Sequence, residues 1–243
     1  MDGTPGRIPY LLIVDCDVWS RAALAVLLRP HVLVETASTA SDGLSRLHNG
    51  SPDLVLLDVC LPDLDGADVL RALRARHPAC PVVVLVTPER TESLQELTAL
   101  GIDGLFRKPL EVGGLLERIR DLLPAGSGPS LESLRFSPHI CQAVEHLSRT
   151  APPLPSVEGL AQAIGLSASY LSHLFRAETR MTMREYLARV RVEVTKRTLR
   201  ETRRNLESVS EAVGFSDASH LSRVFRKYVG RRPGAYRRRP DAA

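Results

Sequence analysis

The first half of the chain alternates short apolar runs with segments of helical periodicity. Runs rich in β-branched residues, typical of buried parallel strands, occupy residues 10–14, 32–36, 53–58, 81–86 and 104–106. Apolar positions recur with helical spacing near residues 18–29, 39–49, 66–76, 89–100 and 111–123. Five strand–helix units in about 120 residues predict one doubly wound α/β domain with a five-stranded parallel sheet, over residues 8–123.

The second half has helical periodicity alone, and one amphipathic pattern occurs in it twice. SYLSHLFR at 169–176 and SHLSRVFR at 219–226 each place apolar residues on one helix face and polar or basic residues on the other. Each copy follows a short helical segment and a glycine, Gly165 or Gly214, with Ser167 or Ser216 as the expected N-cap. Helix, turn and helix with a polar outer face is the helix-turn-helix pattern, so an all-α domain with two such units is predicted.

A segment rich in Pro, Gly and Ser separates the two halves. It begins with LPAGSGPS at residues 123–130 and lacks periodicity, which indicates an interdomain linker over residues 124–136. Ser137 followed by Pro138 favours a helix start, so the second domain is placed at residues 137–240.

Charge is unevenly distributed between the halves. Residues 1–125 carry 12 Lys and Arg against 17 Asp and Glu, a net charge of −5, and residues 126–243 carry 20 against 11, a net charge of +9. The basic half predicts a polyanionic partner. The four cysteines lack C-x-x-C spacing, and no signal peptide or membrane-spanning run is found, so a cytoplasmic protein without contact to a membrane is expected.

Candidate chemistry lies at the carboxyl ends of the predicted strands, where function gathers in this fold class. Asp15 and Asp17 follow the first strand, Asp58 ends the third, Thr87 follows the fourth and Lys108 follows the fifth. Each residue alone is compatible with an ordinary turn. Together they suit a divalent cation such as Mg²⁺ and a phosphoryl group.

The segments LLIVDCD, PDLVLLDVCLPDLDG and GIDGLFRKP resemble the receiver domain of two-component response regulators. The resemblance implies that a partner sensor histidine kinase phosphorylates Asp58, that Lys108 contacts the phosphoryl group with Thr87 as the switch hydroxyl, and that a cis peptide precedes Pro109. It also implies Mg²⁺ as cofactor, held by Asp15, Asp58 and the backbone carbonyl of Cys60, and Asp17 is taken as the substitute for the family's second acid.

Three positions depart from the receiver pattern. Cys16 stands where the family has a second, metal-ligating acid, and sulfur is a poor ligand for Mg²⁺. Counting from the strand-opening proline puts Val86, rather than Thr87, at the switch position, and Leu105 replaces a switching aromatic. The departures keep a second interpretation open, a receiver that responds to a ligand, to a protein partner or to the state of two neighbouring thiols, Cys16 and Cys60.

The C-terminal half resembles the DNA-binding domain of AraC/XylS-type transcription regulators over residues 138–239, most distinctively in GFSDASHLSRVFRKYVGRRPGAYR. The resemblance implies two helix-turn-helix units joined by a long helix near 182–202, whose recognition helices enter major grooves about 34 Å apart. Two positions depart from the family pattern. Arg180 stands where the family often has glycine, and Ser210-Glu211 stands where Ile-Ala is common. The predicted DNA-contacting residues are Ser169, Ser172, His173, Arg176, Ser219, Ser222, Arg223, Arg226, Arg231 and Arg232, with Arg237, Arg238 and Arg239 as further phosphate contacts or a solvated tail.

The combined pattern predicts a sequence-specific transcription regulator of the two-component type. Its partners would be double-stranded DNA and a sensor histidine kinase, and a homodimer stays open. A phosphotransfer enzyme is the alternative from another class. It is disfavoured because the acidic pocket comes without a second catalytic apparatus and is joined to a strongly basic half, so no enzyme activity is expected.

Overall fold

The computed structural model describes residues 7–87, 94–123, 134–150 and 153–238 of the 243-residue chain. The chain divides into two compact units, residues 1–148 and 149–243. In the residues described, no helix combines the length and the apolar character needed to cross a membrane.

The first unit is built on a parallel sheet that confirms the predicted α/β fold. Its strands are β1 (Tyr10–Val14), β2 (Leu33–Ala37), β3 (Leu54–Asp58), β4 (Val82–Val86) and β5 (Gly104–Arg107). They pair in parallel in the order β2-β1-β3-β4-β5. The strand order reverses direction between β1 and β3, and in doubly wound sheets a crevice for ligands forms at this point.

Helices follow the strands, as predicted. They are α1 (Val18–Leu28), α2 (Ala40–Asn49), α3 (Gly66–Arg76), α4 (Leu94–Ala99) and α5 (Val112–Leu122). The strands β3 and β4 are buried along their whole length, because helices cover both faces of the sheet. Part of the predicted helix 89–100, its residues 89–93, lies outside the described residues.

Helix α6 (Pro138–Arg149) starts at the predicted proline. It groups with the first unit, whereas its sequence predicted a second domain that begins at residue 137 and includes it. The reason is visible in two contacts. Glu145 Oε1 accepts a hydrogen bond from Val112 N at the start of α5, 2.7 Å away, and the ring of Phe136 lies 6.0 Å from that of His31, just after α1. Most of the predicted linker, residues 124–133, lies outside the described part of the chain.

The second unit is helical and contains both predicted helix-turn-helix units. Its helices are α7 (Val157–Ala163), α8 (Ala168–Thr179), α9 (Met183–Glu201), α10 (Leu206–Val213), α11 (Ala218–Val229) and α12 (Pro233–Arg238). The long helix α9 begins and ends within one residue of the predicted range 182–202. It contacts α8, α10, α11 and α12, so its buried face is shared by both helix-turn-helix units.

The internal repeat has a structural counterpart at a spacing of 50 residues. The ring of Phe175 in α8 packs on Tyr186 in α9 with ring centroids 5.0 Å apart, and Phe225 in α11 packs on Tyr236 in α12 at 5.4 Å. All four rings are buried or nearly so. Helices α8 and α11 are therefore each fixed by a Phe–Tyr pair, which the sequence similarity of the two eight-residue segments did not reveal.

The turns before α8 and α11 differ by one residue. Gly165 and Gly214 both adopt positive φ, +73° and +84°, as expected of glycines at these turns. Ser167 caps α8, as predicted. The predicted cap Ser216 is wrong, because the second turn carries one additional residue and the cap falls on Asp217, whose carboxylate accepts from His220 N at 2.7 Å.

Candidate functional site

The carboxyl ends of β1, β3 and β5 bring three charged side chains together. Lys108 Nζ donates to Asp15 Oδ1 and to Asp58 Oδ2, both at 2.8 Å. Asp15 and Asp58 are 0% and 1% exposed. The cis peptide between Lys108 and Pro109 is present, as the receiver resemblance implied. Two buried carboxylates thus share one ammonium, the convergence expected from the sequence.

Burial and charge act in opposite directions on the two carboxylates. Burial raises the pKa of Asp15 to about 6, with repulsion from Asp58 adding to it and Lys108 opposing it. Burial also disfavours ionisation of Asp58, but Lys108 and the Cys60 amide outweigh it and lower the pKa of Asp58. Although burial opposes the charged form of Lys108 as well, the two carboxylates raise its pKa. The charged form is therefore favoured more strongly at Asp58 than at Asp15.

The loop after β3 orients Asp58. Cys60 N donates to Asp58 Oδ1 at 2.8 Å, which fixes the carboxylate plane beside the sheet edge. The hydroxyl Oγ1 of Thr87 lies 3.1 Å from Cys60 Sγ, whereas Val86 is buried in the hydrophobic core. The side chain beside the pocket after β4 is therefore that of Thr87, although the spacing from Pro81 pointed to Val86.

Asp17 does not take the place of the missing second acid. Its Oδ1 accepts from Trp19 N at 2.8 Å and from Ser20 N at 3.0 Å, so it is the N-cap of α1. It is also not part of the ligand group that the described residues form at this edge. The expectation that Asp17 ligates a metal is not supported, because its carboxylate is committed to the helix end.

The Cys16 thiol is inside the pocket. Its Sγ donates to Asp58 Oδ2 at 3.6 Å. Burial, together with the nearby charges of Asp58 and Asp15, raises the pKa of Cys16 to about 11. Cys60 Sγ instead contacts Thr87 and is not in the group formed by Asp15, Cys16 and Asp58. A sensor that needs the two thiols paired is therefore not supported by their positions.

The donor set fits Mg²⁺ only in part. Asp15 and Asp58 provide the hard oxygen ligands that Mg²⁺ prefers, and the carbonyl of Cys60 stays a predicted ligand. The third side chain of the group is a thiol, which is poorly matched to this ion. The buried carboxylates would attract a divalent cation, but the sulfur does not favour magnesium.

The four polar residues predicted on α8 share one solvent-facing side of the helix. Ser169, His173 and Arg176 are exposed and Ser172 is partly exposed, whereas Leu171 and Phe175 are buried on the opposite side. The outward face forecast from helical periodicity is therefore present.

Helix α11 repeats this arrangement. Ser219, Arg223 and Arg226 are exposed and Ser222 is partly exposed, and Leu221 and Phe225 are fully buried. The two faces match residue for residue at a spacing of 50, with His173 replaced by Arg223. The second face therefore carries one additional positive charge.

A surface groove of about 490 Å³ runs along the outer face of α8. All four predicted residues of α8 line it, and so do Glu158 at the start of α7 and Arg184 in the first turn of α9. Arg184, whose side chain is 85% exposed, was not among the residues predicted from the sequence. The signal that could have found it is a basic residue in the first turn after the N-cap Thr182, where helix N-termini attract phosphate.

The C-terminal arginines have different environments. Arg232 is exposed, and Arg231 lies over the ring of Tyr236, 4.8 Å from its centroid. Arg237 donates to the backbone carbonyl of Arg204 at 2.6 Å, so its guanidinium has a structural contact. Arg238 is exposed, and Arg239 lies outside the described residues. Arg232 and Arg238 are the better candidates for phosphate contacts.

Family models match both halves of the chain. A response regulator receiver domain matches residues 11–120, and a helix-turn-helix domain matches residues 160–239. The transcriptional regulatory protein AfsQ1 of Streptomyces coelicolor is 36% identical over 132 residues, 53% of this chain and 57% of that protein. The transcriptional regulatory protein HptR of Staphylococcus aureus is 28% identical over 221 residues, 83% of this chain and 86% of that protein.

A solved receiver domain described as CheY-like, from Methanospirillum hungatei JF-1, is 28% identical, covers 47% of this chain and 92% of its own, and has a TM-score of 0.44. The chain spans about half the length of the first curated relatives that it matches. Both resemblances found in the sequence are confirmed by the matched segments. Residues 11–120 are therefore similar to a response regulator receiver domain, and residues 160–239 are similar to a helix-turn-helix domain.

Proposed function

We propose that this chain is a cytoplasmic transcription regulator that binds double-stranded DNA through two helix-turn-helix units, under the control of its receiver domain. The observation that carries the proposal is the repeated polar face of α8 and α11, which keeps the same exposure pattern at a spacing of 50 residues. A plain surface helix needs no such repetition. Serine, histidine and arginine side chains at these positions can contact base edges in a major groove.

The lining of the groove along α8 supports assigning some residues to base contacts and others to phosphate contacts. Ser169, Ser172 and His173 would contact bases, while Arg184 and the start of α9 would contact the phosphate backbone. In the second unit, Arg223 would contact bases, and Arg226 and Arg232 would contact phosphates. The second unit would then supply more of the base recognition, because it holds an arginine where the first holds His173.

Control would begin at Asp58. Its ionised carboxylate is the nucleophile that attacks the phosphorus of a phosphohistidine on a partner kinase; an O–P bond forms and the P–N bond breaks. Lys108, which contacts Asp58 directly, would stabilise the negative charge of the phosphoryl oxygens. Lys108 would then exchange its contact with Asp15 for one with the phosphoryl group.

The segment from Lys108 to Val112 would connect this change of contacts in the pocket to helix α6. Val112 N is bound by Glu145 of α6, the helix that directly precedes the second unit in the chain. A change at Lys108 would therefore reach α6 through a short stretch of backbone and one hydrogen bond. The contact would have two states: in one, α6 is held by α5 through this hydrogen bond, and in the other it is released.

Mass spectrometry of the intact chain and DNA binding test the two parts of the proposal separately. Incubation with acetyl phosphate and a divalent cation should add one phosphoryl group, and Asp58→Asn should prevent this. A binding site selected from random DNA should be bound with steep salt dependence, since phosphate contacts release counterions. Binding that is insensitive to salt, or a phosphoryl group retained by the Asp58→Asn chain, would contradict the corresponding part.

A second candidate keeps the DNA-binding function but removes phosphorylation. It is favoured by Cys16 in the pocket and by Leu105, which is 37% exposed at the position of the family's switching aromatic. This candidate predicts that acetyl phosphate adds no mass while the selected DNA is still bound. The receiver would then respond to a ligand or a protein partner.

A further inference from the structure

The pocket at the strand ends contains three ligand atoms of mixed chemistry. A carboxylate oxygen of Asp15, the sulfur of Cys16 and a carboxylate oxygen of Asp58 all lie within 4.8 Å of one another. The separation between Cys16 Sγ and Asp58 Oδ2 is 3.6 Å. Ligand atoms around a four-coordinate ion with sulfur and oxygen ligands lie about 3.5 Å apart, as follows from the usual Zn–S and Zn–O bond lengths.

An unpartnered buried atom points independently to a ligand. Asp15 is fully buried, and its Oδ1 accepts from Lys108 Nζ and from Asp17 N. Among the residues that the structure describes, its Oδ2 has no hydrogen-bond partner. An unsatisfied carboxylate oxygen in a buried site is costly, because it has lost its water without gaining a donor. A cation between this carboxylate, Cys16 and Asp58 would satisfy it.

The thiol decides which cation fits. Mg²⁺ selects oxygen ligands, whereas thiolate ligands select softer ions. The neighbouring acid cannot restore an all-oxygen site, because Asp17 caps α1. We propose that this pocket binds a thiophilic divalent cation of the Zn²⁺ and Co²⁺ class through Asp15, Cys16 and Asp58, in preference to Mg²⁺.

The thiol loses its proton to solvent as the metal–sulfur bond forms. With Lys108 still beside the two carboxylates, the negative charges of the two carboxylates and the thiolate are balanced by the divalent ion and the ammonium together. Three protein ligands leave a fourth position for a water molecule or a phosphoryl oxygen. The inference shares the pocket of the proposed function, but it does not depend on DNA binding or on phosphorylation.

Cobalt titration of the metal-stripped full-length chain tests the proposal, because a Co²⁺–thiolate bond gives a charge-transfer absorption that oxygen ligands do not. We expect this absorption to saturate at one equivalent and to be reversed by Zn²⁺. Mg²⁺ should displace Co²⁺ only at a concentration at least about 100-fold higher. Displacement by Mg²⁺ at a similar concentration would overturn the proposal.

Two variants and one control locate the site. Cys16→Asp should abolish the absorption and raise the affinity for Mg²⁺ by about 10-fold or more, since it restores an oxygen ligand. Asp58→Asn should weaken Co²⁺ binding, and Cys60→Ser, which alters a thiol outside the ligand group, should leave the absorption intact. An absorption that survives Cys16→Asp would also overturn the proposal. Far-UV circular dichroism of each variant identifies loss of folding, and mass gain and DNA binding measured on the same samples separate this outcome from failure of the proposed function.

Discussion

Arg180 occupies a backbone conformation that suits glycine. It is the C-cap of α8 with φ of +57° and ψ of +12°, the one non-glycine residue with positive φ in the described part of the chain. The equivalent position after α11, 50 residues on, is Gly230 with φ of +80°. The departure noted in the sequence at Arg180 therefore has a local cost, since a left-handed conformation is unfavourable by about 1–2 kcal/mol for a residue with a Cβ.

Replacing Arg180 with glycine should stabilise the second unit. The relief of strain is partly offset by the greater freedom of glycine in the unfolded chain, so we expect a gain of about 0.5–1 kcal/mol. Gly230→Ala is the matched control and should destabilise the same unit, because its φ is positive although no atom of the described ranges lies within 4 Å of the added Cβ. Urea unfolding followed by far-UV circular dichroism measures both changes.

The single tryptophan makes this measurement specific. Trp19 lies in α1 of the first unit, so its fluorescence follows that unit alone. The Arg180→Gly effect should be visible by circular dichroism and absent from the Trp19 transition. An equal shift in both signals, or no shift, would contradict the strain argument.

Asp63 stabilises the start of α2 from another loop. It accepts hydrogen bonds from Ala40 N at 2.8 Å and from Ser41 N at 2.9 Å. Although burial opposes this, the bonds to Ser41 and Ala40 lower the pKa of Asp63 to about 2. Because the folded-state pKa lies below the unfolded value, the stabilisation is complete above about pH 4 and is lost as the pH falls towards 2.

Asp63→Asn tests this dependence. The variant should be less stable than the parent chain near neutral pH, and the difference should shrink as the pH falls from about 5 towards 2. The urea midpoint of the Trp19 fluorescence transition is the quantity to compare across this range. A difference that is constant with pH would show that the charge of Asp63 does not contribute.

At the scale of elements, α6 groups with the first unit, whereas its sequence predicts a place at the start of the second domain. Its apolar face is visible in the sequence, but periodicity does not identify which surface covers that face. The deciding contact is between Glu145 and the first amide of α5, where Glu111 already accepts from Gly114 N at 2.7 Å. A hydrogen bond between residues that are far apart in the chain leaves no periodic signal in the sequence.

Removal of the Glu145 contact should weaken the first unit. Glu145→Ala leaves an amide of α5 unsatisfied and should cost about 1 kcal/mol, in the range of lost helix caps. Glu145→Gln retains an acceptor oxygen and should cost less than half as much. Trp19 fluorescence in urea measures both, and equal losses for the two variants would indicate that charge rather than the hydrogen bond is responsible.

The strands were predictable because a sheet covered on both faces requires continuous apolar runs. The helices and the opposed faces of α8 and α11 were predictable because burial of one helix face imposes a period of 3.6 residues. Which carboxylate caps a helix was not predictable from the sequence. Asp17 and Asp217 were placed by local turn geometry, where a single additional residue between Gly214 and Ser219 moved the N-cap away from Ser216. Position in the sequence therefore located the pocket, while hydrogen bonds determined which acids belong to it.

At the scale of the whole molecule, charge is divided between a first unit with negative charge in excess and a basic second unit, for which DNA binding is proposed. The exposed arginines of the second unit can be sorted by experiment. Arg223→Ala should reduce affinity for a selected site by about 1–3 kcal/mol, with little effect on random DNA, because it removes a base contact. Arg232→Ala should weaken binding to selected and to random DNA alike. It should also reduce the magnitude of the slope of log affinity against log salt concentration by about one. Equal loss on both kinds of DNA for Arg223→Ala would contradict its assignment.

The contacts between the two helix-turn-helix units predict whether they bind DNA as one rigid body. Arg191 of α9 donates to the carbonyls of Leu154 and Pro155 before α7, and its guanidinium lies 5.9 Å from the ring centroid of Phe215 in the turn before α11. Gly214 also allows that turn to approach Leu154, since a Cβ there would lie 3.2 Å from the carbonyl oxygen of Leu154. The two units are thus braced against each other and should bind DNA as one body.

A rigid pair tolerates only one spacing between the two halves of its site. Inserting about five base pairs, half a helical turn, turns the second half to the opposite side of the duplex, where the other recognition helix cannot follow it. Affinity for the selected site should then fall at least about tenfold, approaching that of a site with one half deleted. Fluorescence anisotropy on the three duplexes measures this. Arg191→Met should reduce the penalty by loosening the brace, and unchanged affinity for the spaced site would mean that the two units move independently on DNA.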